Sequence, residues 1–274
     1  MTELHIPQEL LIAALRAAAK SAILPRFRAL NAGEIAEKSG PNDLVTVADT
    51  EAEAAIIAAL AQHWPAATVL GEESAARDPG LRAAMAVADP AVILDPVDGT
   101  WNFARGLSIF GMLLAVVRAG RPVWGVIYDP VWDHWIESDG KTTHLVSGAR
   151  HRLATSRETR VERLTGFVPQ GLFGADRRRV AATAGLDYAR VTSLRCAAHE
   201  YWLLAQGHVD FALSGPTPHP WDHAAGVLAV QGAGGVARFL DGAPYDLHRR
   251  NGVLLAAGNQ AVWERVARDF AALA

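Results

Sequence analysis

The stretch 92–106, V-I-L-D-P-V-D-G-T-W-N-F-A-R-G, constrains this chain more than any other. It opens on an apolar run, 91–94, whose composition predicts a buried strand. The run delivers two carboxylates, Asp95 and Asp98. Pro96 between them restricts Asp95 to extended geometry and fixes its own φ. Gly99 lets the backbone approach a ligand closely, and Thr100 adds a hydroxyl. Two acids on a stiff turn repel each other and are costly to hold without a counter-charge. A hard divalent cation bound through oxygen relieves that cost. A solvated β-turn accounts well for a lone D-x-x-D. The six-residue run Asp95-Pro96-Val97-Asp98-Gly99-Thr100 after an apolar strand is more specific.

The chain around this stretch is large enough to bury it. It has 274 residues, 50% of them hydrophobic, which suffices for one large domain or two packed halves. The net charge of −3 comes from balanced acids and bases. No basic stripe points to nucleic acid, and no acidic tail to disorder. The single cysteine, Cys196, cannot form an intramolecular disulfide, which fits a reducing compartment. Glu3, Glu9 and Arg16 interrupt the apolar residues of the N-terminus, against a signal peptide. No apolar run approaches the ~20 residues that span a bilayer. The chain is therefore expected to be cytoplasmic, without a membrane or nucleic-acid partner.

Residues 7–24 carry apolar positions at helical spacing, and Pro25 ends or kinks that helix. Residues 31–42 hold Gly33, Gly40 and Pro41 and are expected to be a loop. The segment Asp43-Leu44-Val45-Thr46-Val47-Ala48-Asp49 precedes a helix closed by Pro65, so Asp49 reads on its own as a cap or first-turn acid. A short strand, 67–70, ends in Gly71-Glu72-Glu73-Ser74, a pair of acids that alone suggests a solvated turn. Residues 75–90 predict a polar loop with a short helix at 81–87. Strands are expected at 107–118, 123–128 and 134–137, with a hairpin-type turn at Asp139-Gly140. This first half combines helices with a largely antiparallel sheet.

The second half alternates, which argues for an α/β layer. Strands are predicted at 164–168, 190–194, 209–213, 236–240 and 252–256. Helices are predicted at 176–184, 197–206, 221–231 and 260–272. The polar, Arg-rich connection 147–155 divides the chain into subdomains 1–148 and 149–274. Asp222, in Pro220-Trp221-Asp222-His223-Ala224-Ala225-Gly226, again has a capping reading. His219 and His223 are spaced i, i+4, but Pro220 lies between them and no Cys pair or zinc box accompanies them. Both read as surface or packing histidines.

Four acid-bearing segments thus recur: Asp49, Glu72-Glu73, Asp95 with Asp98-Gly99-Thr100, and Trp221-Asp222. Together and in this order, the chain resembles the inositol monophosphatase family of magnesium-dependent, lithium-sensitive phosphatases. The motifs D-P-V-D-G-T and W-D-x-A-A-G carry the resemblance, with G-E-E and D-x-V-T-x-A-D in support, over nearly the whole length. Asn102-Phe103 after Thr100 is similar to the branch acting on inositol phosphates. Relatives acting on adenosine bisphosphate or histidinol phosphate tend to carry Lys where this chain has Trp101.

The resemblance implies an α/β layered sandwich of alternating helix and sheet layers, and commonly a homodimer. It implies two to three Mg²⁺ ions and a small phosphate monoester as substrate. Glu72, Asp95 and the carbonyl of Val97 would hold the first ion. Asp95, Asp98 and Asp222 would hold the second, and Glu72 would share a weaker third, with Asp49 supporting it. Hard oxygen ligands suit Mg²⁺. Thr100 and Glu72 would orient and deprotonate the attacking water, and the N–H groups of Gly99 and Thr100 would cradle phosphate oxygens. Fructose-1,6-bisphosphatase, nucleotide 3′-phosphatase and histidinol phosphatase activities are alternatives on the same fold. A non-catalytic regulator is the alternative of another class.

The substrate side departs from the family pattern. Where relatives carry Gly-[Ser/Thr]-Ala-Ala, this chain has Arg195-Cys196-Ala197-Ala198. Where they carry a Glu shortly before Trp-Asp, it has Ser214 or Gly215. Arg195, Cys196, Ala197, Ser214, Asp98, Gly99, Thr100 and Asp222 are the expected substrate contacts. Arg195 suits a second phosphate or a carboxylate, or is simply exposed at a helix start. Cys196 reads as a small packing residue.

Overall fold

The computed structural model describes residues 6–78 and 80–274; Glu3 lies outside that range. The chain builds α1 (Gln8–Ala18), a hairpin of β1 (Ile35–Gly40) and β2 (Asp43–Thr46), and α2 (Val47–His63). Strand β3 (Thr68–Gly71) leads into α3 (Glu72–Arg77) and α4 (Gly80–Val87), and β4 (Ala91–Asp98) into α5 (Thr100–Ala104). Strands β5 (Gly111–Arg118), β6 (Arg121–Asp129), β7 (His134–Ser138), β8 (Thr143–Val146) and β9 (Arg150–Arg152) follow. Beyond them come β10 (Thr165–Phe167), α6 (Ala175–Ala184), β11 (Arg190–Thr192), α7 (Ala197–Ala205) and β12 (Phe211–Ser214). The chain closes with α8 (Pro220–Gly232), β13 (Val236–Phe239), β14 (Leu254–Ala257) and α9 (Gln260–Asp269).

Two larger sheets result. The first runs β3-β4-β5-β6-β7-β8-β9 and is parallel only between β3 and β4. The second runs β11-β10-β12-β14-β13, parallel through β11, β10 and β12 and antiparallel through β14. The period of two along each strand sorts side chains between layers. In β4 and β5, Val92, Leu94, Met112, Leu114 and Val116 pack with Leu11, Leu15, Ile56 and Leu60 of α1 and α2. Their neighbours Ile93, Leu113 and Ala115 face Ala224, Ala225 and Val227 of α8. Ala212, Leu254 and Ala256 of the second sheet meet the same middle layer. Phe211, Leu213, Leu255 and Ala257 face α6 and α9 instead. The architecture is five layers, alternating helix and sheet as the resemblance implied, with no closed barrel among the described residues. Both faces of the central strands are covered, which is why β4 and β5 read as nearly continuous apolar runs.

The middle layer works because its helices are thin. A Cβ on Gly226 would lie 2.1 Å from the Tyr201 ring, and one on Gly125 2.9 Å from the Ala225 backbone. Helix α8 is buried almost all round, leaving Asp222 and Gln231 as the less buried positions. No helix of the described residues is long and apolar enough to cross a membrane.

Several elements differ from their sequence-based bounds. The first helix is α-helical only to Ala18, then passes through a π turn, Ala19–Ile23, into a 3₁₀ turn, Leu24–Arg26. Pro25 lacks the N–H that would continue the α ladder. The expected loop 31–42 contains β1, a polar strand held by backbone pairing to β2 rather than by an apolar pattern. The strand expected from 107 begins at Gly111. Strands β8 and β9 were not anticipated, and β9 falls in the stretch 147–155 expected to be a connection. Its three exposed residues, Arg150, His151 and Arg152, suit a charged sheet edge that discourages pairing with other chains. Both acids of the central motif lie within β4 itself, not on a turn after it.

The close approach at Gly226 has a measurable consequence. In an exposed helix, Gly→Ala stabilises by about 1 kcal/mol. Here Gly226→Ala should instead destabilise by about 1–3 kcal/mol through overpacking against Tyr201, seen as a lower urea midpoint at unchanged slope. A raised midpoint would refute the packing argument.

Candidate active site

The site grows from the end of β4. Its register against β5 shifts between Asp95 and Asp98, which pair with Leu113 and Gly111. That irregularity brings both acids, 2% and 9% exposed, to the same cavity. Asp95 Oδ1 accepts the Val97 N–H at 3.0 Å. Asp98 Oδ2 accepts the Ala198 N–H at 2.5 Å and the Cys196 thiol at 3.0 Å, which ties it to the start of α7. Gly99 then turns the chain at φ +87, and a Cβ there would meet the Ile109 carbonyl at 2.8 Å. Only glycine serves at such a position.

Helix α5 starts at Thr100. The Thr100 hydroxyl lies 2.9 Å from Asp49 Oδ1 and 2.9 Å from the Val97 carbonyl. Asp49 is buried and also accepts the N–H and hydroxyl of Thr46, closing a capping box at the start of α2. The capping reading of Asp49 and its place beside Thr100 are thus one arrangement. Burial pushes the Asp49 pKa up to about 7.

Glu72 opens α3, and its position rests on Glu53 of α2. The fully buried Glu53 carboxylate accepts the Glu73 N–H at 2.8 Å and the Ser74 N–H at 2.7 Å. A Cβ on Gly71 would lie 2.1 Å from Glu53 Oε2, so the strand-to-helix corner requires glycine. Lys38 of β1 donates to Glu72 at 2.7 Å and to Glu73 at 2.6 Å. Burial opposes its charge, but the two glutamates prevail and hold its pKa above the ordinary value. Asp222 sits in the first turn of α8, where Pro220 begins the helix.

Carboxylate oxygens of Glu72, Asp95 and Asp222 all lie within 4.8 Å of one another. Burial first, then mutual repulsion, raises Asp95 and Asp222 well above the usual carboxylate range. Asp98 is raised as well, chiefly by burial. The donor set is all oxygen, anionic and convergent, so it fits a hard divalent cation such as Mg²⁺. Asp98 stands outside the convergent three, engaged with α7. The solvated-turn readings of Glu72-Glu73 and Asp95–Asp98 do not hold for Glu73, Asp95 and Asp98, which are buried.

Gly99, Thr100, Arg195, Cys196, Ala197 and Ser214 line the same cavity of about 670 Å³ as the acids. Cys196 is buried, as a packing residue should be, and burial pushes its thiol well up. Its contact with Asp98 was not legible in the sequence. His223 is 2% exposed and lies between the Tyr201 hydroxyl, at 3.1 Å from Nδ1, and the Ser214 hydroxyl, at 2.9 Å from Nε2. Burial brings its pKa down to about 3, so the ring is neutral. His219 precedes α8 and stacks on Trp221, with ring centroids 4.9 Å apart. Glu200, pushed up to about 7 by burial, accepts the Leu194 N–H at 2.7 Å and the Ser193 hydroxyl at 3.1 Å. It thereby shapes the bend that carries Arg195. Lys38, Glu53, Glu200 and Tyr201 escaped sequence reasoning because nothing local marks them. The T-x-x-D of Thr46 and Asp49 is a capping-box signature that could have been read.

A profile of the inositol monophosphatase family matches residues 7–273. The chain belongs to the inositol monophosphatase family. Among relatives, it is 32% identical over 268 residues to the Nus factor SuhB of Escherichia coli, covering 91% of each chain. It is 27% identical over 274 residues to inositol monophosphatase 1 of Bos taurus, covering 96% of this chain and 94% of that one. The bifunctional phosphatase IMPL2 of Arabidopsis thaliana is 30% identical over 192 residues, 70% of this chain, which spans about half (53%) of that longer relative. Of solved structures, an inositol monophosphatase from Zymomonas mobilis superposes with a TM-score of 0.78 at 26% identity, over 98% of this chain and 100% of that one. An IMPase from Thermotoga maritima gives a TM-score of 0.80 at 22% identity, over 97% of each chain, a likeness of fold. Inositol monophosphatases are generally metal-dependent, and membership supports phosphatase activity in this chain.

The support of Glu72 by Glu53 can be checked by substitution. Glu53→Ala strands two N–H groups at the start of α3 and should cost about 2–4 kcal/mol, read as a lower urea midpoint. An unchanged midpoint would mean water replaces the carboxylate without loss.

Proposed function

We propose that the chain is a Mg²⁺-dependent phosphomonoesterase acting on inositol monophosphate or a related sugar phosphate. The convergence of Glu72, Asp95 and Asp222 carries this reading. Glu72, Asp95 and the Val97 carbonyl would hold one ion, and Asp95, Asp98 and Asp222 a second. Glu72 would share a weaker third. Bound Mg²⁺ supplies charge neutralisation of the phosphate, a more acidic water and stabilisation of the leaving alkoxide.

The protein groups do the rest. Thr100 and Glu72 orient the attacking water and take up its proton, and Asp49, next to the Thr100 hydroxyl, supports them. The N–H groups of Gly99 and Thr100 cradle phosphate oxygens at the start of α5. No covalent nucleophile is needed, because phosphoryl transfer demands mainly alignment and charge stabilisation. We further propose a cytoplasmic homodimer in which residues 1–148 supply most of the metal site and residues 149–274 supply Asp222 and the substrate side. A regulatory, non-catalytic role is the second reading, favoured by the likeness to SuhB. Clustered like charges that a pure regulator has no need to keep weigh against it.

Phosphate release from inositol 1-phosphate, fructose 1,6-bisphosphate, adenosine 3′,5′-bisphosphate and histidinol phosphate, with Mg²⁺ and with chelator, decides between the readings. We expect release that requires Mg²⁺. Silence from every member, with Mg²⁺ shown to bind, would favour the regulator. Asp98→Asn should lower kcat by about 100-fold or more, a loss of about 2.7 kcal/mol or more, with the fold retained by circular dichroism. Loss of fold would make Asp98 structural. Tens of millimolar Li⁺, roughly the level that occupies a weak cation site, should inhibit, and full activity there would count against the shared third site.

A further inference from the structure

Trp101, directly after Thr100, carries two guanidinium groups. Arg195 Cζ lies 4.4 Å from its ring centroid and Arg105 Cζ 5.1 Å. Neither arginine forms a salt bridge among the described residues. Among the described residues, the Arg195 side chain hydrogen-bonds to Asn42 alone, with Nη2 donating to the backbone carbonyl at 3.2 Å and Nη1 to Oδ1 at 3.5 Å. Asp43, at the same rim, engages the Ser39 hydroxyl instead. Glu200, the other acid on this side of the cavity, is occupied by Leu194 and Ser193. Two cations braced on one ring without a carboxylate repel each other, and desolvation and Arg105 both depress the Arg195 pKa. The converging acids pose the mirror image of this problem a short way along the same cavity.

The backbone adds a second, independent observation. Arg195 sits at φ +55, in the left-handed region. A side chain with a Cβ pays about 1–2 kcal/mol there, whereas glycine pays none. Strain of this kind persists where the surroundings enforce it, and it concentrates at ligand sites. Here the Arg195 N–H donates to Ser193 Oγ at 3.1 Å, and Glu200 fastens the same hydroxyl and the intervening Leu194 N–H. The bend therefore points a guanidinium over Trp101 at a local cost. Arg195 and Trp101 line the cavity that holds Glu72, Asp95 and Asp222, whereas Arg105 lies on the same ring outside the lining residues.

We propose that Arg195 and Arg105, braced on Trp101, form an anion subsite that receives a second anionic group, a phosphate or a carboxylate, on the organic part of the substrate. The subsite rests on the phosphatase reading and narrows its substrate class to phosphomonoesters with two anionic ends. A planar guanidinium binds either group through two hydrogen bonds, and stacking on the ring already restrains both guanidinium groups, which lowers the ordering entropy lost on binding.

The test compares kcat/KM for fructose 1,6-bisphosphate, 6-phosphogluconate and inositol 1-phosphate in wild type, Arg195→Gly, Arg195→Lys and Arg105→Gln. Wild type should favour one of the two dianionic-ended esters over inositol 1-phosphate. In Arg195→Gly that preference should fall about 10-fold or more, mainly through KM, with a smaller fall in Arg105→Gln and partial recovery in Arg195→Lys. Whichever ester loses more identifies the second group as phosphate or carboxylate. Arg195→Gly relieves the backbone strain, so its thermal midpoint should not fall, which separates lost recognition from lost fold. An unchanged preference in Arg195→Gly overturns the subsite. If wild type hydrolyses none of the three with Mg²⁺, the phosphatase reading fails for these esters. Calorimetric titration of fructose 1,6-bisphosphate and 6-phosphogluconate then tests the subsite alone. Equal binding by wild type and Arg195→Gly overturns it, and binding weakened at least 10-fold supports it.

Discussion

Buried carboxylates at close range repel one another, and burying them raises the free energy of each charge further. Glu72, Asp95 and Asp222 come from a strand end and two helix starts, yet their oxygens converge within 4.8 Å. Such a cluster stands only if the surrounding structure enforces it. The neighbours visibly do so. Glu53 fastens the start of α3, the β4–β5 irregularity aims Asp95 and Asp98 at one cavity, and Pro220 starts the helix that carries Asp222. The five-layer packing supplies the rigidity behind these contacts.

That rigidity depends on small residues between the sheets. Ala224, Ala225 and Gly226 let α8 lie against β6 on one side and Tyr201 of α7 on the other. Helix α8 therefore brings Asp222 to the acids of the first sheet and His223 to Ser214 of the second. One helix start thus joins the acid-lined part of the cavity, the proposed metal site, to the part bounded by the second sheet. The cavity has two opposite charge problems, acids without enough cations on one side and arginines without acids on the other. A phosphate ester with a second anionic group, bound together with metal, answers both.

Much of the candidate site was legible because chemistry and turn geometry coincide in short runs. Asp95-Pro96-Val97-Asp98-Gly99-Thr100 announces a strand and two acids, and the structure holds both, with Gly99 in the left-handed region. Asp49 and Asp222 were legible as first-turn acids, and the structure holds both there while setting Asp49 beside Thr100 and Asp222 beside Glu72 and Asp95. Less was legible where an element has no apolar pattern. Strand β1, strand β8 and the edge strand β9 are held by backbone pairing, which leaves no hydrophobic period in the sequence. Residues such as Lys38, Glu53 and Tyr201 matter through partners distant in sequence, and no local signal marks them.

By itself, the sequence determined the family motifs, the alternation of helix and sheet, the acids of the candidate site and the glycine after Asp98. Those depend on local spacing, backbone restriction and residue chemistry, all of which act over a few residues. Only the tertiary structure decided that Arg195 and Arg105 share Trp101, and that His223 is a buried link between Tyr201 and Ser214. It also decided that Glu53 supports Glu72. Apart from Arg105 and Trp101, which are four residues apart, these contacts join separate elements, where contact is set by how the elements pack rather than by how the chain is spelled.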